Sequence, residues 1–426
     1  MLSQPKLTFQ WLRRLGPGLI FAAVTIGASH LVMSTRAGAM YGLGMLVFIL
    51  FALIVKYPFY RFGQQYASIA KVSLLEGFRR QGTWALLIYL VILVGSVFPA
   101  LAAVSLVASG LAVASFGLDV PPRMLAAGLI LLCATIVLIG RYHWLEQIVK
   151  VLIVVMFFAT LAATMVAFPL IQWETGTAVF RVDYALPEIL FIATLIGWIP
   201  APLDTAIMQS LWTLEKSRDL QTELDWKQSS PDFHIGYLAS GILACCFLLI
   251  GFAVMHGKDI VLADDPSGFA IQLIGLYREL LGDWSEIVIS VSAFAVMLST
   301  VLVAIDGYPR ALTTLLTRFK GAEAAGSVES REDNFKLFLI NTLFLCSGAI
   351  AILFFFMGSF FTLIMIATTI AFITAPVIAW LIHRSMFSLP NATASKPGKG
   401  MRIYSLTSIW MLTAFAIYYL YLITLS

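Results

Sequence analysis

The sequence predicts an all-α polytopic membrane protein, and its composition and long apolar segments are the two observations that predict it. Of its 426 residues, 60% are hydrophobic and 12% are charged, and the mean hydropathy is +0.92. A soluble core of this size cannot bury so much apolar surface. The apolar segments are long enough to cross a hydrocarbon layer about 30 Å thick as helices, and they lack the alternation of barrel strands. A bundle of membrane-spanning helices is therefore expected.

About eleven segments are predicted to span the membrane, and we number them spans 1 to 11 in chain order. Only the short connectors "SFGLDVPPR" and "FMGSF" separate spans 3 and 4 and spans 9 and 10. The predicted bounds are 17–40, 43–66, 84–113, 123–140, 145–169, 188–213, 235–256, 284–307, 336–356, 359–383 and 403–425.

Lysine and arginine are distributed unevenly between the two sides of these spans. With a cytoplasmic amino terminus, 21 of the 27 basic residues fall on the cytoplasmic side and five on the outer side, while Lys56 lies within span 2. This excess is typical of cytoplasmic loops. We therefore predict a bacterial inner-membrane protein with its amino terminus in the cytoplasm and its carboxyl terminus outside.

The net charge of +4 is explained by these loops, so no nucleic-acid partner is expected. The expected partners are the lipid bilayer and a small ion or solute. The sequence indicates no cofactor and leaves the oligomeric state open.

Spans 1 and 6 are each interrupted near the middle. Span 1 contains "TIGASH" at 25–30, and span 6 contains "GWIPAPLD" at 197–204. Irregular backbone at membrane depth must be surrounded by protein or by a polar cavity. Because these are the first spans of two sets of five, the second set is inverted relative to the first. Such paired breaks are typical of the central site of a transporter.

The sequence thus predicts one transmembrane domain, 1–426, built as a 5+5 inverted repeat. Repeat 1 covers about 17–169, repeat 2 covers about 188–383, and an extra helix covers about 403–425.

Carbonyl groups and helix amino ends at the two breaks are the predicted binding groups for a cation or an anion. Asp204 either binds the substrate or caps the second half of span 6. His30 either ligates a metal or carries a proton, or it forms hydrogen bonds within the bundle. The predicted substrate-binding residues are Thr25, Gly27, Ser29, His30, Ile199, Pro200, Asp204 and Thr205.

Other polar residues within the spans have alternative interpretations. A metal, if bound, would use Asp204 and His30 together with carbonyls at the breaks. Further hydroxyls come from Thr368, Thr369 and Thr374 of span 10, which bind substrate or bond to their own helix.

Lys56, Asp306 and Arg36 are candidate gating or coupling residues. Lys56 and Asp306 are placed toward the cytoplasmic ends of spans 2 and 8, where they either pair with each other or act separately. In the second case Lys56 extends toward the membrane surface and Asp306 ends a helix. Arg36 is on the outer part of span 1, where it would repel cations if it faced the entrance.

Several motifs resemble those of Nramp-type divalent metal transporters. The segment "GPGLIFAAVTIGASHLVMSTRAGAMYG" at 16–42 is similar to the first-span region of that family. Within it "STRAGA", and further along "IDGYPR" at 305–310 and "ATTIAFITAP" at 367–376, resemble a divergent, Nramp-related bacterial branch. The resemblance implies the LeuT-type fold and secondary transport by alternating access.

The metal-binding motifs of that family are not matched. Its aspartate falls on Gly27 and its asparagine on His30, while its Met-Pro-His falls on Ile199, Pro200 and Ala201. The soft thioether ligand for transition metals is therefore missing. Spans 3 and 9 also lack the acidic and arginine residues of the family's proton pathway.

Three functions remain open. The first is transport of a small ion, in particular a divalent cation that keeps part of its hydration shell. The second is transport of a small organic solute, such as an amino acid or amine, held by helix ends. The third is a membrane sensor without transport. We do not expect an enzyme, because the spans contain no nucleophile and base motif.

Overall fold

The computed structural model describes residues 21–22, 25–139, 143–171, 185–221, 225–258, 260–322, 334–356, 358–390 and 395–425. The beginning of span 1 as predicted from residue 17, and most of the polar connector between spans 8 and 9, lie outside the described residues. Within the described ranges every regular element is helical.

Nine helices within these ranges are long and apolar enough to cross a membrane, which confirms an integral membrane protein. They correspond to every predicted span except the two interrupted ones. In order they are span 2 Met45–Ala70, span 3 Thr83–Phe116, span 4 Pro122–Ile139, span 5 His143–Ala167, span 7 Trp226–Met255, span 8 Trp284–Lys320, span 9 Phe335–Phe355, span 10 Phe360–Phe387 and span 11 Lys399–Leu425.

Spans 1 and 6 are discontinuous, as the sequence predicts. Regular helix in span 1 is interrupted at residues 26–27, and the chain continues through a π-helical turn, Ser29–Ser34, into the helix Thr35–Tyr41. Span 6 consists of Leu186–Trp198 and Thr205–Asp219, with irregular backbone between them. The Ile199–Pro200 peptide bond in this segment is cis. Proline removes backbone donors, so the helix cannot run through "IPAPLD".

Two short helices that the sequence did not predict flank the bundle. Leu74–Gln81 follows span 2 and is capped by Ser73, whose hydroxyl accepts a hydrogen bond from the Glu76 amide at 3.4 Å. Pro266–Leu281 precedes span 8 and is capped by Asp265 in the same way. Both helices begin after a recognisable capping residue, but they are too short or too polar to be identified as membrane spans from the sequence.

Spans 7 and 8 are longer than predicted. Span 7 begins at Trp226 rather than near 235, and span 8 ends at Lys320 rather than near 307. Hydropathy falls at those points, but helical hydrogen bonding continues into the polar flanks. Asp306 therefore lies within span 8 and does not end a helix.

Close backbone approaches hold the two halves of span 6 against different neighbours. Gly197 lets the first half lie against span 10, where an added Cβ would overlap the Thr368 carbonyl oxygen. Gly63 of span 2 lets the second half of span 6 lie equally close, because an added Cβ there would overlap the Ala206 carbonyl oxygen. Small residues permit such contacts in membrane bundles. The first half of span 6 thereby lies against span 10, and the second half lies against span 2.

Candidate functional site

The breaks of spans 1 and 6 meet at the centre of the bundle. The Ser29 hydroxyl lies 3.3 Å from the Pro200 carbonyl oxygen, and it lies 2.7 Å from the Thr25 carbonyl oxygen in its own span. Ser29, Pro200 and their neighbours are buried or nearly so. The structure therefore brings together Thr25, Ser29 and Pro200 of the predicted set.

Gly27 and Ile199 lie in the backbone of the two breaks. The Gly27 carbonyl accepts hydrogen bonds from the amides of His30 and Leu31, both at 3.0 Å. The Ile199 amide donates to the Leu195 carbonyl at 2.9 Å, which completes the first half of span 6. These bonds give both residues a role in shaping the breaks.

His30 is fully buried and both of its ring nitrogens have partners. Nε2 lies 2.9 Å from the Ser240 carbonyl oxygen of span 7, and Nδ1 lies 2.8 Å from the Ser29 hydroxyl oxygen. A metal ligand needs a free nitrogen lone pair. This geometry favours the alternative in which His30 joins spans 1 and 7 by hydrogen bonds.

Lys56 and Tyr60 of span 2 both reach the break in span 6. The Lys56 ammonium donates to the carbonyl oxygens of Gly197 at 2.8 Å and Ala201 at 3.0 Å. The Tyr60 hydroxyl lies 2.5 Å from the Ala201 carbonyl oxygen and 3.1 Å from that of Pro202. Four residues apart, the two side chains share one helix face. Span 2 thus supplies donors to three carbonyls of the broken helix, and of these the Pro202 carbonyl also accepts from the Thr205 amide at 3.1 Å.

These contacts correct the sequence-based placement of Lys56 and Asp306. Lys56 lies near the middle of Met45–Ala70 and is 0% exposed, so it does not extend toward the membrane surface. Its hydrogen-bond partners are in span 6, whereas Asp306 accepts from Arg310 at 2.9 Å in its own helix. The proposed pairing of Lys56 with Asp306 is therefore replaced by two separate interactions.

Asp204 begins the second half of span 6 and faces the centre. It is 3% exposed, and within the described part of the chain its side chain makes no capping hydrogen bond. Among the described residues, one of its carboxylate oxygens, Oδ1, has no hydrogen-bond partner. Tyr308 lines the same small cavity as this carboxylate. A buried acceptor without a partner is costly, which makes it a candidate binding group.

Two small cavities adjoin one another beside this carboxylate. Their volumes are about 60 Å³ and 10 Å³, and Ala100, Trp198, Pro202 and Tyr308 line both of them. The larger space is enough for roughly four to six water molecules. Ser29 and Thr205 also line the larger cavity, and Asp204 and Thr374 also line the smaller one.

The cavity walls are mostly apolar, with few polar groups. The indole N–H of Trp198, which lines both cavities, has no hydrogen-bond partner in the ranges that the structure describes. Together with Asp204 Oδ1, it provides one unpaired donor and one unpaired acceptor near the cavities. Apolar walls with a few convergent polar groups are typical of sites for small molecules.

Threonine hydroxyls contribute little to these cavities. Thr25, Thr368 and Thr374 hydrogen bond to carbonyls of their own helices, and Thr369 lies 3.3 Å from the Tyr419 hydroxyl of span 11. These bonds fit the helix-bonding alternative, and Thr374 additionally lines the smaller cavity.

No group of three or more His, Cys, Asp or Glu side chains that could hold a metal ion occurs in the part of the chain that the structure describes. Asp204 and His30 lie in different surroundings, since His30 contacts Ser29 and Ser240 whereas Asp204 lines the smaller cavity together with Tyr308. Their contacts do not support the shared ligand set that the sequence suggested for a metal.

Arg36 is buried at one end of the bundle. The connectors that are rich in basic residues lie at the other end. Its guanidinium lies 4.2 Å from the centre of the Phe361 ring and 3.8 Å from Asp264, and it donates to the Ala263 carbonyl oxygen. With 2% exposure it is not a free positive charge at an entrance. It ties span 1 to span 10 and to the segment before Pro266–Leu281. Asp264 also lines a cavity of about 530 Å³ on this side.

Ion pairs connect the helices at the other end, which is the predicted cytoplasmic side. Arg310 of span 8 binds Glu215 of span 6 at 2.6 Å and Asp306 at 2.9 Å. We call Glu215, Asp306 and Arg310 the span 6–span 8 latch. Arg318 lies 3.9 Å from Glu76, and both side chains are 1% exposed. The central cavities thus lie between polar contacts at both ends of the bundle.

Three residues at the centre were not predicted as site residues. They are Tyr60, Trp198 and Tyr308. Each had some signal in the sequence, since Tyr60 is one helical turn from Lys56, Trp198 is in the "GWIPAPLD" break and Tyr308 is in "IDGYPR".

Solved structures share this architecture over nearly the whole chain. An Eremococcus coleocola manganese transporter, in complex with an aromatic bis-isothiourea substituted compound, has a TM-score of 0.65 at 13% identity, covering 97% of this chain and 87% of that one. MhsT in complex with L-phenylalanine has a TM-score of 0.61 at 16% identity, covering 96% and 98%. MHP1, a nucleobase-cation-symport-1 family transporter, has a TM-score of 0.56 at 14% identity, covering 95% and 92%.

These likenesses define the class of fold. The chain is a polytopic membrane protein with the LeuT-type 5+5 inverted repeat and with discontinuous spans 1 and 6, as the sequence predicts.

A sequence comparison defines its family. The chain is 30% identical over 373 residues to the uncharacterized protein PM0681 of Pasteurella multocida (strain Pm70), covering 86% of this chain and 83% of that protein. The chain belongs to the same family as that protein. No protein-family model matches it.

Proposed function

We propose that this protein is a secondary transporter that moves a small solute by alternating access. The observation that carries the proposal is the contact between two broken helices from inverted repeats, with small cavities and a buried carboxylate beside it. Discontinuous helices of this kind surround the substrate site in transporters. The solved structures with the same fold are described as transporters, which supports the proposal.

A small organic solute is the cargo that the cavity chemistry favours. Within the described residues, the Trp198 indole N–H and Asp204 Oδ1 are an unpaired donor and an unpaired acceptor. A solute with one acceptor and one donor group, such as an amino acid or an amine with a hydroxyl or carbonyl group, would satisfy both. The mostly apolar walls would contact its carbon atoms.

A divalent cation is the second candidate. One solved structure with this fold is a manganese transporter, and the first-span motif is similar to that of Nramp-type proteins. Asp204 would be the one charged ligand, with hydroxyls and water completing the shell. We therefore propose a divergent, Nramp-related transporter whose usual transition-metal ligands are replaced, with its amino terminus in the bacterial cytoplasm.

Flux measurements on the purified protein in liposomes test this function. We expect uptake of at least one member of a panel of amino acids, amines and divalent cations, each assayed with and without a pH gradient. Asp204→Asn should reduce that uptake at least tenfold, because losing a charged partner of a bound solute costs about 1.5 to 3 kcal/mol.

Asp119→Asn provides the matched control, since it makes the same chemical change at an exposed loop residue. Its uptake should equal that of the wild type. Flux of a divalent cation alone would select the second candidate over the first. No flux of any compound in the panel, with the protein folded and inserted, would contradict transport and favour a sensor.

A further inference from the structure

We propose that the Lys56 side chain is a tethered cation that occupies the position at the span 6 break where a dissolved cation would otherwise bind.

The geometry of the break defines a cation position. The first half of span 6 ends at Trp198, and carbonyls at the end of a helix carry partial negative charge and lack helical partners. Gly197 and Ala201 direct their carbonyl oxygens at one point, which the Lys56 Nζ occupies at 2.8 Å and 3.0 Å. Unwound carbonyls and helix carboxyl ends are the groups that coordinate coupling cations in discontinuous-helix transporters.

Two side chains of opposite charge are buried at the break. Lys56 is 0% exposed and Asp204 is 3% exposed. Removing one member of a buried pair leaves an uncompensated charge, which is strongly unfavourable. A second cation in the same place would be repelled by the ammonium and would find two of its carbonyl ligands already in use.

The polypeptide therefore supplies the cation itself. If the chain transports a solute, that solute moves without a sodium, potassium or divalent ion bound at these carbonyls. This last consequence rests on the proposed function, whereas the occupancy of the position by Lys56 does not.

Thermal stability of the purified full-length protein tests the occupancy without any measurement of flux. The melting temperature is recorded against increasing NaCl, KCl, MgCl₂ and MnCl₂, with choline chloride holding the ionic strength constant. The wild type should show no saturable rise with NaCl or KCl. A rise with MgCl₂ or MnCl₂ that is equal in the wild type and in Lys56→Ala would come from cargo bound beside Asp204 and not from this position. Lys56→Ala vacates the position, so a saturable rise on the order of a few degrees that the wild type lacks is expected with at least one of these salts.

Two further variants test whether the cation-dependent rise in melting temperature arises at this position. Lys56→Ala combined with Asp204→Asn removes the carboxylate as well, and the cation-dependent rise should disappear. Lys258→Ala changes a half-exposed lysine outside the spans and should behave as the wild type does.

Two results would overturn the proposal. One is a saturable rise with NaCl or KCl in the wild type that Asp204→Asn abolishes, because the position would then accept a dissolved ion with Lys56 present. The other is a folded Lys56→Ala protein that gains no response to any cation.

If Lys56→Ala does not fold, Lys56→Met is compared with Lys56→Met combined with Asp204→Asn. The double variant should express and melt closer to the wild type than the single variant, because it removes both charges together. A double variant that is no more stable than the single one would contradict the charge pairing. Since none of these readouts depends on transport, their failure is separate from a failure of the flux experiment.

Discussion

Single polar side chains at the centre of the bundle are satisfied largely by backbone carbonyls of neighbouring spans. Lys56 and Tyr60 donate to the span 6 break, and His30 contacts the Ser240 carbonyl of span 7. Interrupted helices expose carbonyls that lipid cannot satisfy, so donors must come from protein. At this scale Lys56 and Tyr60 stabilise irregular backbone, whereas His30 joins the break in span 1 to the continuous helix of span 7.

Tyr60→Phe tests this role, because it removes one hydroxyl and retains the ring. The carbonyls of Ala201 and Pro202 lose the donor that they share, and we expect a loss of about 1 kcal/mol in stability. The measurement is the melting temperature in detergent, which should fall by a few degrees. Tyr418→Phe makes the same change at an exposed tyrosine of span 11 and should not alter it. Equal melting temperatures for both variants would show that the Tyr60 hydroxyl does not stabilise the break.

The two halves of span 6 are separate elements with different neighbours. Leu186–Trp198 packs against span 10, and Thr205–Asp219 packs against span 2. Each contact depends on a glycine that brings two backbones close together, Gly197 in one case and Gly63 in the other. The position of the break is therefore set by packing on both sides as well as by the prolines within it.

Gly197→Ala is predicted to disturb the packing of the first half. The new Cβ would overlap the Thr368 carbonyl oxygen and approach the Phe372 Cβ to 3.1 Å, which costs about 1 to 3 kcal/mol. Gly128→Ala is the control, since an added Cβ in span 4 meets no atom of the described residues within 4 Å. Alanine is a better helix former than glycine, so this control should be neutral or slightly stabilising. Melting temperatures that change alike in both variants would contradict close packing at Gly197.

At the scale of the whole molecule, polar contacts close the bundle on both sides of the central cavities. Arg36 joins span 1 to span 10 and to the segment at Ala263 and Asp264. The span 6–span 8 latch joins helices at the other end. Alternating access requires that such contacts break on one side at a time. Each set therefore has a place in the proposed transport cycle.

Arg310→Gln should open the side of the bundle that the latch closes. Access is measured in a cysteine-free background as the rate at which a water-soluble thiol reagent labels Thr205→Cys, a position in the larger cavity. If the latch stabilises the closed state by about 1 kcal/mol, its loss should increase the labelling rate on the order of fivefold. Arg278→Gln breaks an exposed ion pair with Asp283 and should leave the rate unchanged. A rate that is unchanged or slower in a folded Arg310→Gln protein would contradict this role.

The sequence by itself determined the membrane class, the spans and the two interrupted helices. Those features depend on local hydropathy and on prolines and glycines, which act through neighbouring residues along the chain. It missed the helices Leu74–Gln81 and Pro266–Leu281, although both have capping residues, because hydropathy identifies spans and not short polar helices.

Only the tertiary structure decided which groups meet at the centre. Lys56 contacts Gly197 across 141 residues of sequence, and His30 contacts Ser240 across 210. From the sequence, Lys56 was expected either to pair with Asp306 or to extend toward the membrane surface. A buried charge must find a partner, but which one it finds depends on how the helices pack, and no local pattern in the chain encodes that choice.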